Sequence, residues 1–172
     1  RELSALRREA VDDLLALAAS SVPGALSFAI VGTGSYGRGS LAYKSDIDIW
    51  LIRRREEDDP LFGELAERLL YPLWNLGLQI GHQIVAPGSI LELARTDLPT
   101  ATAILDLRAI AGDGSLLEDL LRRARDGLFS DGEFIDRLAE EADQRHERFG
   151  GSVYLLEPDV KSGPGGLRDL DG

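Results

Sequence analysis

The sequence predicts an α+β fold, most simply a single domain. Segments with helical and strand-like patterning follow one another as helix, strand, strand, helix, strand, and then mostly helix. The first two strands are joined by a connection too short to hold a crossover helix, so a doubly wound parallel sheet is excluded. With 44% apolar and 28% charged residues over 172 positions, the chain is ordinary for a globular protein able to bury a core.

Taken in order, Leu3, Leu6, Ala10, Leu14, Leu17 and Ala18 recur at helical spacing over 2–20, and Pro23-Gly24 ends that helix. Ser27 to Val31 is a short apolar run stopping at Gly32, which reads as a buried strand. A glycine-rich stretch runs from Gly32 to Gly39, and Asp46 to Ile52 forms the second strand. The charged tract Arg53 to Asp59, closed by Pro60, is a surface loop. Leu61 to Leu76 is helical in pattern, with Pro72 expected to bend or interrupt it. Leu78 to Val85 is a third strand. The segment 97–112 supports two readings: Asp97 capping a helix with Pro99 in its first turn and Gly112 ending it, or a strand through Ile104–Ile110. Two further helices fit Ser115–Leu128 and Gly132–Phe149.

Composition narrows the chemistry. Cysteine is absent, so disulfides and thiolate metal sites are excluded, and a metal would need oxygen ligands or His82 and His146. Oxygen ligands favour magnesium or manganese. No apolar run is long enough to span a bilayer as a helix. A net charge of −11 disfavours a nucleic-acid substrate, whose phosphates need clustered Lys and Arg. The start at Arg1 without methionine and the glycine-rich end suggest a piece of a longer protein.

Gly32-Thr33-Gly34-Ser35-Tyr36-Gly37 matches G-x-G-x-x-G after a strand. A dinucleotide fold then needs a full crossover helix, yet only the eight residues Arg38–Ser45 precede Asp46, and the acids open the strand rather than close it. The short connection instead brings Gly34 and Ser35 beside Asp46 and Asp48. Residues two apart on a strand share a face, so both carboxylates project together while Ile47, Ile49 and Leu51 enter the core. Paired acids on one face repel unless a divalent cation sits between them. Glycines allow backbone amides to approach phosphate, and Arg38 and Lys44 supply positive charge in the same loop. A solvent-exposed strand face is the plain alternative, but Trp50 and Ile52 on that face argue against it.

Gly34-Ser35, a ten-residue gap and Asp46-Ile47-Asp48 together resemble the DNA polymerase β-like nucleotidyltransferases. The likeness sharpens over Gly34–Gly39, Leu41 and Ser45–Asp48; over Leu73–Leu78 with Ile80-Gly81-His82; over Asp97-Leu98, Ala101-Thr102, Arg108 and Gly112-Asp113; and over Arg145–Arg148. It is most specific at Leu156-Glu157-Pro158-Asp159-Val160-Lys161-Ser162-Gly163-Pro164-Gly165-Gly166-Leu167-Arg168-Asp169-Leu170. These blocks are similar to the nucleotidyltransferase domain of bacterial PII uridylyltransferases. Two departures stand out: Gly34-Ser35 where that family often has Gly-Gly, and Ile84-Val85-Ala86 where a basic residue usually follows His82.

The resemblance implies a polymerase β-like fold, a small mixed sheet flanked by helices, with extra helices toward the C-terminus. It divides the domain into an N-terminal helix and linker (1–27), a catalytic core (28–113) and a helical extension ending in the glycine-rich motif (114–172). The HD and ACT domains that follow in full-length family members are not expected within these residues. It also implies transfer of UMP from UTP to a tyrosine of the PII nitrogen-signalling protein, releasing pyrophosphate, in the cytoplasm. Asp46 and Asp48 would bind magnesium or manganese, and Asp106, in Leu105-Asp106-Leu107, is the candidate third acid, metal ligand and base. Its plain alternative is a helix-surface acid beside Arg108. Gly34, Ser35, Arg38, Lys44, Lys161 and Arg168 are the candidate nucleotide contacts. Tyr36, Trp74, His82 and Arg108 read as packing or ion-pairing residues. The rival functions are adenylyl transfer to PII or another protein, and a non-catalytic nucleotide-binding module.

Overall fold

A computed structural model describes residues 2–22, 27–41, 45–54, 60–130, 132–148 and 159–171. The chain forms two compact units, Arg1–Asp126 and Gly127–Gly172. In the first, α1 (Glu2–Ser20), β1 (Phe28–Gly32), the single turn α2 (Gly34–Gly37) and β2 (Ile47–Arg53) are followed by α3 (Pro60–Asn75) and β3 (Ile80–Val85). Then come α4 (Pro87–Thr96), α5 (Leu98–Leu105), β4 (Arg108–Gly112) and α6 (Gly114–Gly127). The four strands make one mixed sheet in the order β3-β2-β1-β4; β1 is antiparallel to β2 and β4, and β2 is parallel to β3. This is the expected α+β architecture. Among the described residues, no helix is long and apolar enough to cross a membrane.

Strand alternation gives the sheet two apolar faces. Phe28, Ile30, Ile47, Ile49 and Leu51 turn to one side, where Val11 and Leu15 of α1 and Phe62, Leu65, Leu69 and Leu73 of α3 pack on them. Ala29, Val31, Trp50 and Ile52 turn to the other and are also buried. On that side the Thr33 hydroxyl donates to the carbonyl of Ala103 in α5 (3.1 Å). Trp50 and Ile52 therefore sit in a second core, and the Asp48 face is open only near the start of β2.

Each reading of 97–112 holds for part of the segment: the helix ends at Leu105 rather than Gly112, which instead closes a strand. Asp97 caps α5 by accepting from the Thr100 amide (2.8 Å), and the chain then turns at Asp106 and continues as β4. Pro72 does not break α3: the helix forgoes the one bond that an amide at 72 would donate to the carbonyl of residue 68, and runs on to Asn75. The helix α4, whose buried Ile90, Leu91 and Ala94 follow a first-turn Pro87, has no counterpart in the sequence reading.

The junction of β1, β4 and α6 is tied by Asp113. Its carboxylate accepts from the hydroxyls of Ser115 (2.6 Å) and Ser27 (2.9 Å), from the Ser115 amide, and from Arg54 (3.0 Å). These donors, the Ser115 and Ser27 hydroxyls foremost, hold its pKa down at about 2. A depressed carboxylate stabilises the fold above its unfolded pKa of 3.8, and that contribution is lost as pH falls toward 2. Asp113→Ala should therefore be less stable than wild type at pH 5, with the gap shrinking by pH 2.5 in urea titrations. A gap independent of pH would refute this assignment.

In the second unit, α7 (Glu133–Arg148) precedes the glycine-rich turn and α8 (Leu167–Asp171). The turn is organised by two aspartates. Asp159 accepts from the amides of Lys161 (2.8 Å) and Ser162 (2.9 Å). Asp169 accepts from buried Arg145 (2.6 Å) and from the Gly165 amide (2.7 Å), and lies 3.0 Å from His146 Nε2. Arg145, then Gly165 and His146, depress the Asp169 pKa far below the carboxylate range. Gly165 takes a left-handed φ of 76°, which explains glycine there. Lys161 and Arg168 are exposed.

Candidate active site

Asp46 lies just before β2 and Asp48 is its second residue. The Thr33 amide donates to the Asp48 carbonyl (3.0 Å), which fastens the end of β1 to the start of β2 beside α2. Gly34 adopts φ 56°, and a Cβ there would stand 3.9 Å from Asp48 Oδ2. On the opposite side Gly81 of β3 is the register partner of Asp48, and a Cβ there would stand 2.7 Å from Asp48 Oδ1. The Asp48 carboxylate is thus lodged between two glycines, one on the loop and one on the neighbouring strand. Partial burial, and after it the negative charge of Asp46, raise the Asp48 pKa.

The loop is held from behind by three residues far apart in sequence. Tyr36 is fully buried, and its hydroxyl donates to Asp12 of α1 (2.5 Å). Arg108 of β4 grips the same carboxylate with two bonds (2.9 and 3.1 Å) and lies 5.1 Å from the Tyr36 ring centroid. Burial and the bond to Asp12 push the Tyr36 pKa above the usual phenol range, so the ring stays neutral. Asp12→Ala strands a buried hydroxyl and a guanidinium together, and should cost about 2 kcal/mol in urea unfolding. Tyr36→Phe, which keeps the Arg108–Asp12 pair, should cost less. Equal losses in the two variants would show that the carboxylate is not the hub.

Gly34 and the two aspartates are brought together as the sequence implied, and Ser35 and Arg38 follow in the same turn. Arg38 pairs with Asp106 Oδ2 (2.5 Å). Asp106 is the C-cap of α5 rather than a strand residue. Among the described residues, no three acidic or histidine side chains group as a metal site. The Asp106 carboxylate is engaged with Arg38. Lys44 falls outside the described residues. His82 packs its ring against Trp74 (centroids 5.8 Å apart), and Arg108 is an ion-pair partner, as read from the sequence. Sequence reasoning did not single out Asp12, Thr33 or Gly81. Asp12, in a helix carrying five other charged residues, has no local signal that selects it.

The family model for GlnD PII-uridylyltransferase matches residues 133–171. A bifunctional uridylyltransferase/uridylyl-removing enzyme of Bradyrhizobium sp. (strain ORS 278) is 43% identical over 155 residues, 88% of this chain. Those of Nitrobacter hamburgensis and Caulobacter vibrioides are 41% and 39% identical, over 83% and 82% of it. The chain belongs to the uridylyltransferase/uridylyl-removing enzyme family. It spans 16% of the Bradyrhizobium protein and 15% of each of the other two. A solved toxin–antitoxin structure with AMP-PNP overlaps more loosely, at TM-score 0.45 and 18% identity, covering 78% of this chain and 96% of that one. In this family member, the segment containing the aspartate pair and the glycine turn forms the first unit, and the matched family segment lies in the second.

Proposed function

We propose that this chain is a metal-dependent nucleotidyltransferase domain that moves UMP from UTP to a tyrosine of the PII signalling protein. The observation that carries the reading is the placement of Asp48 between Gly34 and Gly81, next to Asp46. Two carboxylates in sequence alternation, with Asp48 made reluctant to ionise by burial and by its neighbour, suit a divalent cation. Among the described residues, neither carboxylate forms an ion pair with a basic side chain. Asp46 and Asp48 would hold magnesium or manganese, which when bound neutralises charge on the triphosphate and the leaving pyrophosphate.

The chain's own groups then have distinct parts. Gly34 and Ser35 bring the α2 turn against the phosphates, and Arg38, kept in reach by Asp106, offsets their charge. The tyrosyl oxygen forms a bond to the α-phosphorus as the bond to the β-phosphate oxygen breaks. The electron pair leaves with pyrophosphate and the phenolic proton passes to solvent. Lys161 and Arg168 are further candidate phosphate contacts, tested by whether replacing either with alanine raises KM for the triphosphate.

The test is side-by-side incubation of each of the four ribonucleoside triphosphates with PII protein and magnesium, following pyrophosphate release and the mass of PII. UTP should give pyrophosphate and a UMP adduct on tyrosine. Preference for ATP would transfer the reading to adenylylation, and triphosphate binding without pyrophosphate release would reduce the chain to a nucleotide-binding module.

A further inference from the structure

The two edges of the sheet are built differently. β4 is interrupted by a register shift opposite Ile30 and Val31, and its Arg108 is drawn onto Asp12. A bulge and a charge are common means of blunting a strand edge against further pairing. β3 has neither. Ile80-Gly81-His82-Gln83-Ile84-Val85 contains no proline and no Lys, Arg, Asp or Glu, in a chain that is 28% charged. It pairs with β2 in unbroken register from Ile47–Ile80 to Ile52–Val85. Gly81, His82 and Gln83 are exposed.

Register also fixes which backbone groups face outward. The Ile47 amide donates to the Gln79 carbonyl (2.9 Å), so 79, 81 and 83 turn their polar groups toward β2. Ile80, His82 and Ile84 turn theirs away. The Ile80 carbonyl is met by the Trp74 indole N–H (3.3 Å). The outward groups of His82 and Ile84 form a short template for another strand.

We propose that the acceptor protein docks on β3 as an added strand, its acceptor side chain passing over Gly81 to Asp48. This rests on the nucleotidyl-transfer reading, which requires a polypeptide hydroxyl to reach that carboxylate. Asp48 and Gly81 are register partners, so an added residue opposite Gly81 continues the same row across the sheet and shares the Asp48 face. Adjacent strands lie about 4.8 Å apart, which puts the added residue about 10 Å from Asp48, Cα to Cα. Gly81 puts no side chain in between, and the Asp48 carboxylate already leans over it. A tyrosine is long enough to cross that gap, whereas serine and threonine fall short. Strand addition supplies affinity through backbone bonds and tolerates varied sequence around the acceptor.

His82→Pro tests the edge directly. Its N–H faces away from β2, so proline removes the outward donor without touching the β2–β3 ladder. With PII protein and UTP, KM for PII should rise at least tenfold while the affinity for UTP stays unchanged; His82→Ala should behave as wild type. In wild-type protein, hydrogen exchange at the His82 and Ile84 amides should slow at least tenfold when PII is added without nucleotide. That measurement decides the matter even where the proline variant is unfolded. Unaltered exchange at saturating PII, or a folded His82→Pro with wild-type KM, overturns the docking mode while transfer itself proceeds. A wild-type chain that transfers no nucleotide under any condition overturns the function instead.

Discussion

Asp46→Asn and Asp48→Asn are each expected to reduce nucleotidyl transfer about a thousandfold or more, with the fold intact. Cation-assisted charge neutralisation is worth several kcal/mol in such reactions, and each 1.4 kcal/mol is a factor of ten in rate. The two variants should part company in stability. Asp48 is strained by burial and by the charge of Asp46, which together raise its pKa. A neutral amide in its place relieves both, so Asp48→Asn should melt at or slightly above the wild-type temperature even as activity disappears. Pyrophosphate release, manganese binding by calorimetry and thermal melts separate these outcomes. Full activity in either variant would remove that carboxylate from the mechanism, and a large fall in melting temperature would show that its charge is structural.

What was legible in the sequence is what local rules determine. Alternation in Asp46–Ile52 dictated which side chains share a face, and the eight-residue connection dictated that the glycine turn meets the aspartates; both hold. The segment 97–112 was ambiguous because a capped helix and an alternating strand follow each other within it, and the change falls at Asp106, between the two patterns. The same ambiguity obscured the surroundings of Asp106. Its hydrophobic–acid–hydrophobic context suits a strand acid, whereas the chain is ending a helix there and delivers the carboxylate to Arg38. Which residues pair across long sequence distances left no trace, even where Arg108 and Tyr36 read as ion-pairing or packing residues. The clamp on Tyr36 joins residues 12, 36 and 108, and nothing in the spacing of α1 distinguishes Asp12 from Asp13. Gly81 entered only as part of the Ile80-Gly81-His82 block, with no role of its own, because what makes it matter is a strand pairing with Asp48.

Gly37→Ala should be among the most damaging small substitutions in the first unit. A Cβ at Gly37 would lie 2.0 Å from the Asp106 carbonyl oxygen and 2.8 Å from that of Gly32. Both neighbours are backbone, one at the α5–β4 junction and the other at the end of β1, so neither can swing aside as a side chain would. The α2 turn must lift instead, which carries Gly34 away from Asp48 and Arg38 away from Asp106. Forced overpacking of this kind costs about 3 kcal/mol, or on the order of 10 °C in melting temperature for a chain of this size. KM for the triphosphate should rise with it, because the displaced turn is the phosphate-facing element. Gly63→Ala provides the internal comparison: Gly63 is inside α3 with nothing within 4 Å of its added Cβ, so the same methyl group should stabilise by about 0.5–1 kcal/mol through helix propensity. Opposite signs at the two positions would show that the close approach of α2 to Asp106, rather than glycine content, holds the site together; a Gly37→Ala protein as stable and as active as wild type would contradict that geometry.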